Sequence, residues 1–223
     1  MKKLTIKFEN YYAIQNEIEN FFETFFSFDN IENNLIYLYI KFINNEINNE
    51  LFEKINNFKL LKYLYLKNFN FNGDFIIKLN NMKLLSIISC KNIKISKNTN
   101  EKLKELNIKN NRTNNNFLNK VNFVELNKLN LIGNGIRSIK KLKNINFKEL
   151  KVLNLSWNKI SDINILEKVN FKELKELDLS WNNISDINIL EKVDFKELIE
   201  LNLVNNISNI NILEKVNFKN IYL

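Results

Sequence analysis

The sequence predicts an α/β solenoid of about eight stacked repeats, with strands forming a concave parallel sheet and short helices on the convex side. Three observations carry that expectation. LNLSWNKISDINILEKVNFKEL, beginning at Leu153, returns almost unchanged as LDLSWNNISDINILEKVDFKEL from Leu177, 24 residues later. The same step of 24 separates Leu126, Leu150, Leu174 and Leu198, and FKEL recurs at Phe147, Phe171 and Phe195. Within each copy, period-two alternation gives way to apolar residues at helical spacing, the pattern of one strand and one helix per unit.

Residues 1–34 read as an N-terminal cap. LTIKF (Leu4 onward) is a short strand, and YYAIQNEIENFFETFF (Tyr11 to Phe26) is an amphipathic helix covering the first repeat, because a solenoid otherwise exposes its core at each end. A second reading of the same stretch makes Phe21, Phe22, Phe25, Phe26 and Phe28 an anchor for a membrane or a partner.

Residues 35–223 form the repeats. The early ones run LIYLYIKFIN from Leu35, LKYLYLKNFNF from Leu61, LSIISCKNIKI from Leu85 and LKELNIKNN from Leu103. LNKLNLIGNGI from Leu126, LKVLNLSWNKI from Leu150, LKELDLSWNNI from Leu174 and LIELNLVNNIS from Leu198 continue the series. The series loosens toward the start: the step from Leu85 to Leu103 is only 18, and repeats before Leu103 lack the Asn. The Leu198 repeat has lost one residue beside Asn206, and FKNIYL from Phe218 stops mid-repeat, which implies a minimal C-terminal cap.

Each unit has a physical logic. Alternation turns Leu153 and Leu155 inward and leaves Val152 and Asn154 outward. Asn158 bends the chain, and its amide can bond backbone groups exposed there. Asn111, Asn134, Asn182 and Asn206 hold the same place, so the stack predicts a buried amide ladder. Ser161 and Asp162 open a helical segment in which Ile163, Leu166 and Val169 face the core. One such unit cannot bury a core alone, whereas stacked units can.

The shared form L-x-x-L-x-L-x-x-N-x-I resembles the leucine-rich repeat. The later I-x-x-I-x-x-L portion, as in Ile160, Ile163 and Leu166, is similar to the short repeats of internalins and of the leucine-rich phosphatase regulatory subunit. That resemblance implies binding through the concave face, and more narrowly a regulatory subunit gripping a Ser/Thr phosphatase.

The composition argues against catalysis. Histidine is absent, which removes imidazole acid–base chemistry and the common zinc sites. Gly133-Asn134-Gly135 lacks the rest of a phosphate-binding loop. Cys90, the single cysteine, falls at an inward Leu position and reads as a packing thiol. No enzyme activity, metal or cofactor is expected. One cysteine and no apolar run after the basic start favour a reducing, intracellular compartment, the cytoplasm (a host's, if the source is a virus or parasite). The bias to Asn, Lys, Ile and Phe is of the kind an AT-rich genome produces. The glycosylation-like triplets at Asn154, Asn183 and Asn206 read as accidents of it.

Reading outward positions down the stack places candidate partner-binding residues. The third position runs Tyr37, Tyr63, Ile87, Glu105, Lys128, Val152, Glu176, Glu200, and the fifth begins Tyr39, Tyr65, Ser89 and reaches Asp178. The seventh begins with Lys41, Lys67, Lys91 and Lys109. Trp157 and Trp181 stand side by side at the eighth. Tyr and Trp are favoured at binding hot spots. Residues 78–148 carry 16 basic and 3 acidic side chains, between mildly acidic ends. A polyanion, RNA or anionic lipid, could use this basic middle. Lys140, Lys141 and Lys143 fall off the sheet and RNA-recognition motifs are missing, so nucleic acid is not the expected partner. The expectation is a monomeric protein–protein interaction module, an adaptor, inhibitor or effector with no transmembrane segment.

Overall fold

The computed structural model describes residues 3–7, 20, 23–25, 34–41, 46–48, 53–78, 81–96, 102–111, 118, 123–206 and 220–223. Thirteen strands fall within them: β1 (Lys3–Lys7), β2 (Tyr37–Lys41), β3 (Glu46–Asn48), β4 (Tyr63–Lys67), β5 (Asn70–Ile77), β6 (Leu84–Ile88) and β7 (Lys91–Ile95). The remainder are β8 (Glu105–Lys109), β9 (Lys128–Asn130), β10 (Val152–Asn154), β11 (Glu176–Asp178), β12 (Glu200–Asn202) and β13 (Asn220–Tyr222). Ten form one sheet in the order β1-β2-β4-β6-β8-β9-β10-β11-β12-β13, every neighbour parallel.

Alternation sets what this sheet buries. Leu38, Leu64, Leu85, Leu106, Leu129, Leu153, Leu177 and Leu201 pair in register and are all buried. A second buried row runs Ile40, Leu66, Ile87 and Ile108. Each such side chain contributes about 2 kcal/mol relative to exposure, and no single repeat could gather the neighbours that exclude water from it. The FKEL phenylalanines make a further column, Phe123–Phe147–Phe171–Phe195, with successive ring centroids 6.5, 5.7 and 6.2 Å apart.

The structure corrects the third repeat. Leu84 pairs with Tyr63 and Glu105, and Leu85 with Leu64 and Leu106. The unit therefore starts at Met82, not Leu85, and steps of 21 on either side replace the apparent 18. MKLLSIISC offers apolar residues in two phases, and only pairing with both flanking strands selects between them.

The far side of the core also departs from expectation. In the C-terminal half it carries 3-10 segments, Lys140–Asn144, Asn164–Lys168 and Asn188–Glu191, rather than α-helices. Their bonds close from i to i−3, as in Leu142 N–H to Ile139 O (2.9 Å) and Leu166 N–H to Ile163 O (3.0 Å). A repeat of 24 residues leaves only four or five for this stretch, and the tighter helix fits them. Asp162 and Asp186 carboxylates accept from the Asn164 and Asn188 N–H groups, each at 2.9 Å, but the N-cap positions are Ile163 and Ile187, so neither Ser161 nor Asp162 is the cap the sequence suggested. In the N-terminal half a second parallel sheet, β3-β5-β7, stands where helices were expected, with Phe71, Phe75 and Ile93 buried from it.

The N-terminal strand is present as β1, paired with β2. Of the expected cap helix only Asn20 and Glu23 to Phe25 are described, all helical, with Phe25 in the core. The rest of Tyr11 to Phe26, and Phe28, lie outside the described residues. No helix among the described residues is long and apolar enough to cross a membrane.

Candidate functional site

The open face of the ten-stranded sheet presents the outward residues in columns, each fixed by strand register. At its N-terminal end Tyr37 pairs with Tyr63, and Tyr39 with Tyr65. The four rings pack together: centroids lie 6.3 Å apart for Tyr37–Tyr63, 5.2 Å for Tyr37–Tyr65 and 6.0 Å for Tyr39–Tyr65. Burial against these neighbours pushes the Tyr65 phenol pKa up, and the nearby Tyr37, Glu105 and Tyr63 add to it. The Lys3 ammonium sits 4.7 Å from the centre of the Tyr37 ring. Sequence reading missed Lys3. Its signal was available, since Lys3 and Lys7 bracket the first strand at the register of Tyr37 and Lys41.

The lysine column needs a correction. Lys41 pairs with Lys67, but the next residue in register is Ile88, followed by Lys109. Lys91 belongs to β7 in the other sheet. Lys7 takes its place at the other end, next to Lys41. The third column likewise passes through Leu84 rather than Ile87, which is buried, and the fifth through Ser86 rather than Ser89.

Toward the C-terminal end the fifth position has a structural duty. The Asn154 side-chain oxygen accepts from the Ser156 N–H (3.0 Å) and hydroxyl (2.7 Å), and Asp178 does the same for Ser180 at 3.0 and 2.7 Å. Asn154 Nδ2 also donates to the second Asp178 oxygen at 2.9 Å. Asp178 is therefore spent largely within the fold. Glu176 and Glu200, side by side in register, form no ion pair among the described residues. Together with Val152, Asn154, Asp178, Asn202 and Tyr222 they line a shallow hollow of about 140 Å³. Tyr222 is another residue the sequence reading did not single out; it enters because β13 joins the sheet.

Beyond the strands lies the bend. Its first residue has positive φ in every described repeat: Asn68, Ser89, Asn110, Gly133, Trp157, Trp181 and Asn205. The turn extends the ladder, since the Trp157 N–H donates to Ser180 O (3.0 Å) and the Trp181 N–H to Val204 O (2.8 Å). Gly and Asn enter this left-handed region easily, but a bulky side chain there costs about 1–2 kcal/mol. Trp157 (φ 57) and Trp181 (φ 53) occupy it nevertheless. They are 56% and 45% exposed, and their rings stack 4.3 Å apart at an interplanar angle of 10°.

Behind the bend runs the amide ladder. Asn158 Nδ2 donates to Leu131 O, Leu155 O and Ser156 O at 3.0, 2.8 and 3.1 Å, while its oxygen accepts from the Asn134 and Ile136 N–H groups, both at 3.0 Å. Asn111, Asn134, Asn182 and Asn206 repeat the role. Cys90 is the surprise: it stands in the Asn place, not at an inward Leu position. Its N–H donates to Asn111 Oδ1 (2.6 Å), and its thiol reaches Ile88 O (3.3 Å). Burial pushes the Cys90 pKa to about 12, so the thiol stays protonated and unreactive.

No protein-family model matches this sequence, and no curated protein does. Among solved structures it resembles an internalin from Listeria monocytogenes (19% identity, 99% of this chain and 86% of that one, TM-score 0.47). Internalin C2 from the same species is similar at 23% identity over 80% and 77%, TM-score 0.47. The plant peptide hormone receptor RGFR1 in complex with RGF2 matches all of this chain at 18% identity and TM-score 0.56, this chain spanning 36% of its length. The receptor likeness is one of fold, and it agrees with the in-register ladder of L-x-L strands and buried Asn bends. The chain is a leucine-rich-repeat solenoid.

Proposed function

We propose that the chain is a protein-recognition module that grips a partner polypeptide on the open face of its main sheet, acting as an adaptor, inhibitor or effector. One observation carries the reading: two tryptophans stand exposed and stacked at bends where a bulky residue is backbone-strained and the other repeats place Asn, Ser or Gly. Strain retained at an exposed site points to use there rather than to folding. Stacked indoles provide rigid, desolvatable area of the kind found at hot spots. The Tyr quartet supplies a second aromatic surface, on the open face itself, and the plant receptor of this fold, seen in complex with RGF2, supports a polypeptide as partner.

The test is selection from a displayed random-peptide library, followed by calorimetry of the recovered ligands. Trp181→Asn should weaken them by about tenfold or more, as hot-spot truncations do. Glu167→Lys, on the far side, should leave them unchanged. Ligands indifferent to Trp181 and to the Tyr quartet, yet sensitive to the far side, would sink the reading.

A further inference from the structure

The open face changes sign along the stack. Lys7, Lys41 and Lys67 stand in register on three consecutive strands, and after Ile88 the row resumes at Lys109. None of the four forms an ion pair among the described residues. At strand spacing the row covers about 19 Å with cations that repel one another. Nothing in the packing requires this: the same column continues with Ile132, Ser156, Ser180 and Val204, so the bend tolerates uncharged residues equally well. Beside the row lie the four tyrosines, whose hydroxyls find no partner among the described residues. The third column, at the other end of the strands, carries Glu105 and Lys128 and then, further along, the acidic pair Glu176 and Glu200.

We infer that the N-terminal half of this face binds a short, carboxylate-rich segment of a partner polypeptide, laid across the strands along the lysine row. The inference rests on the recognition role proposed above and names the chemistry recognised. An extended chain places side chains on one face about 6.6 Å apart. Three or four Asp or Glu residues at alternate positions would therefore reach Lys7, Lys41, Lys67 and Lys109. The tyrosines offer hydroxyl donors and flat area to the residues between. A uniform polyanion fits less well: past β8 the row offers Ile132, Ser156, Ser180 and Val204 and no cation, so nothing there engages the rest of a long polyanion. A partner that is acidic at one end and basic at the other would bind in one direction only.

The experiment uses the full chain and three fluorescein-labelled probes of about 12 units: a peptide alternating Glu with Ala or Tyr, its Gln counterpart, and a single-stranded RNA. Anisotropy at low salt should show the Glu peptide binding at least about tenfold tighter than the Gln peptide, and losing about tenfold in Lys41→Gln/Lys67→Gln, as two surface ion pairs predict. Lys143→Gln/Lys148→Gln, off the sheet, should change affinity less than about twofold. Without ligand the Lys41/Lys67 variant should melt higher than the parent at low salt, with the gap closing near about 0.5 M salt as repulsion is screened. Equal binding of Glu and Gln peptides, or a parent and variant that bind alike, overturns the inference. So does RNA binding tighter than the Glu peptide, which would assign the row to nucleic acid. If the library yields Trp181-dependent ligands while the Glu peptide fails, the recognition role stands and this refinement falls. If neither binds, both fall.

Discussion

Replacing Asn158 by leucine tests the amide ladder at a rung that donates to three carbonyls and accepts from two N–H groups. Leucine has the same branching and number of heavy atoms as asparagine, but bulkier methyl groups, so the lost hydrogen bonds set the minimum cost and overpacking adds to it. The three carbonyls that Asn158 serves each keep another donor: Leu131 O retains Asn134 Nδ2, Leu155 O retains Asn182 Nδ2, and Ser156 O retains the Gly133 N–H. The donors are less fortunate. The Asn134 and Ile136 N–H groups both point at Asn158 Oδ1, and both residues are buried. Two orphaned buried N–H groups at about 1–3 kcal/mol each give an expected loss of about 4 kcal/mol. For a chain of this size that lowers Tm by about 8–16 °C. Thermal melting followed by circular dichroism, with urea unfolding alongside, measures it. A shift below about 2 °C would mean that the ladder is dispensable and that the repeats are held by the aliphatic rows alone.

Three further outcomes follow from the same geometry. Gly133 and Gly135 both have φ +69, but a Cβ at Gly133 would come within 2.0 Å of Asn110 Oδ1 whereas Gly135 has open space. The Asn110 side chain is exposed and can swing its tip away, so Gly133→Ala and Gly135→Ala should each lose about 1–2 kcal/mol to the left-handed backbone, a fall in Tm of about 2–8 °C, and unchanged melting would refute that strain. Trp181→Asn relieves about 1–2 kcal/mol of backbone strain and loses about 1 kcal/mol of ring stacking, so Tm should move by less than about 4 °C even as binding suffers. A large fall would make the tryptophans structural. The folded-state pKa of Cys90 is raised from 9.0 to about 12, so its contribution to stability is complete below pH 9 and is lost as pH rises toward 12. Native protein should resist a thiol reagent at pH 8 until denaturant is added; rapid native labelling would place Cys90 outside the ladder.

The sequence by itself determined the architecture wherever the repeat is strict. From Leu126 onward the L-x-x-L-x-L-x-x-N spacing leaves one phase in which aliphatic side chains and the Asn amide can all point inward, and the strands and bends lie at that phase. The Trp pair and the Glu176–Glu200 pair were visible for the same reason, and the Tyr quartet because LIYLYIK and LKYLYLK share one L-x-x-L-x-L phase. Tertiary structure decided the rest. MKLLSIISCKNIKI satisfies the pattern in two phases, and pairing with β4 and β8 chose the one that removes Lys91 from the lysine column and puts Cys90 on the ladder. The far side depended on how few residues each repeat leaves there, yielding 3-10 turns or a second sheet where helical spacing alone suggested α-helices. The backbone of the bend was equally hidden at Trp157 and Trp181. Their left-handed φ is imposed by the N–H reaching the next repeat, a constraint that exists only once the repeats are stacked.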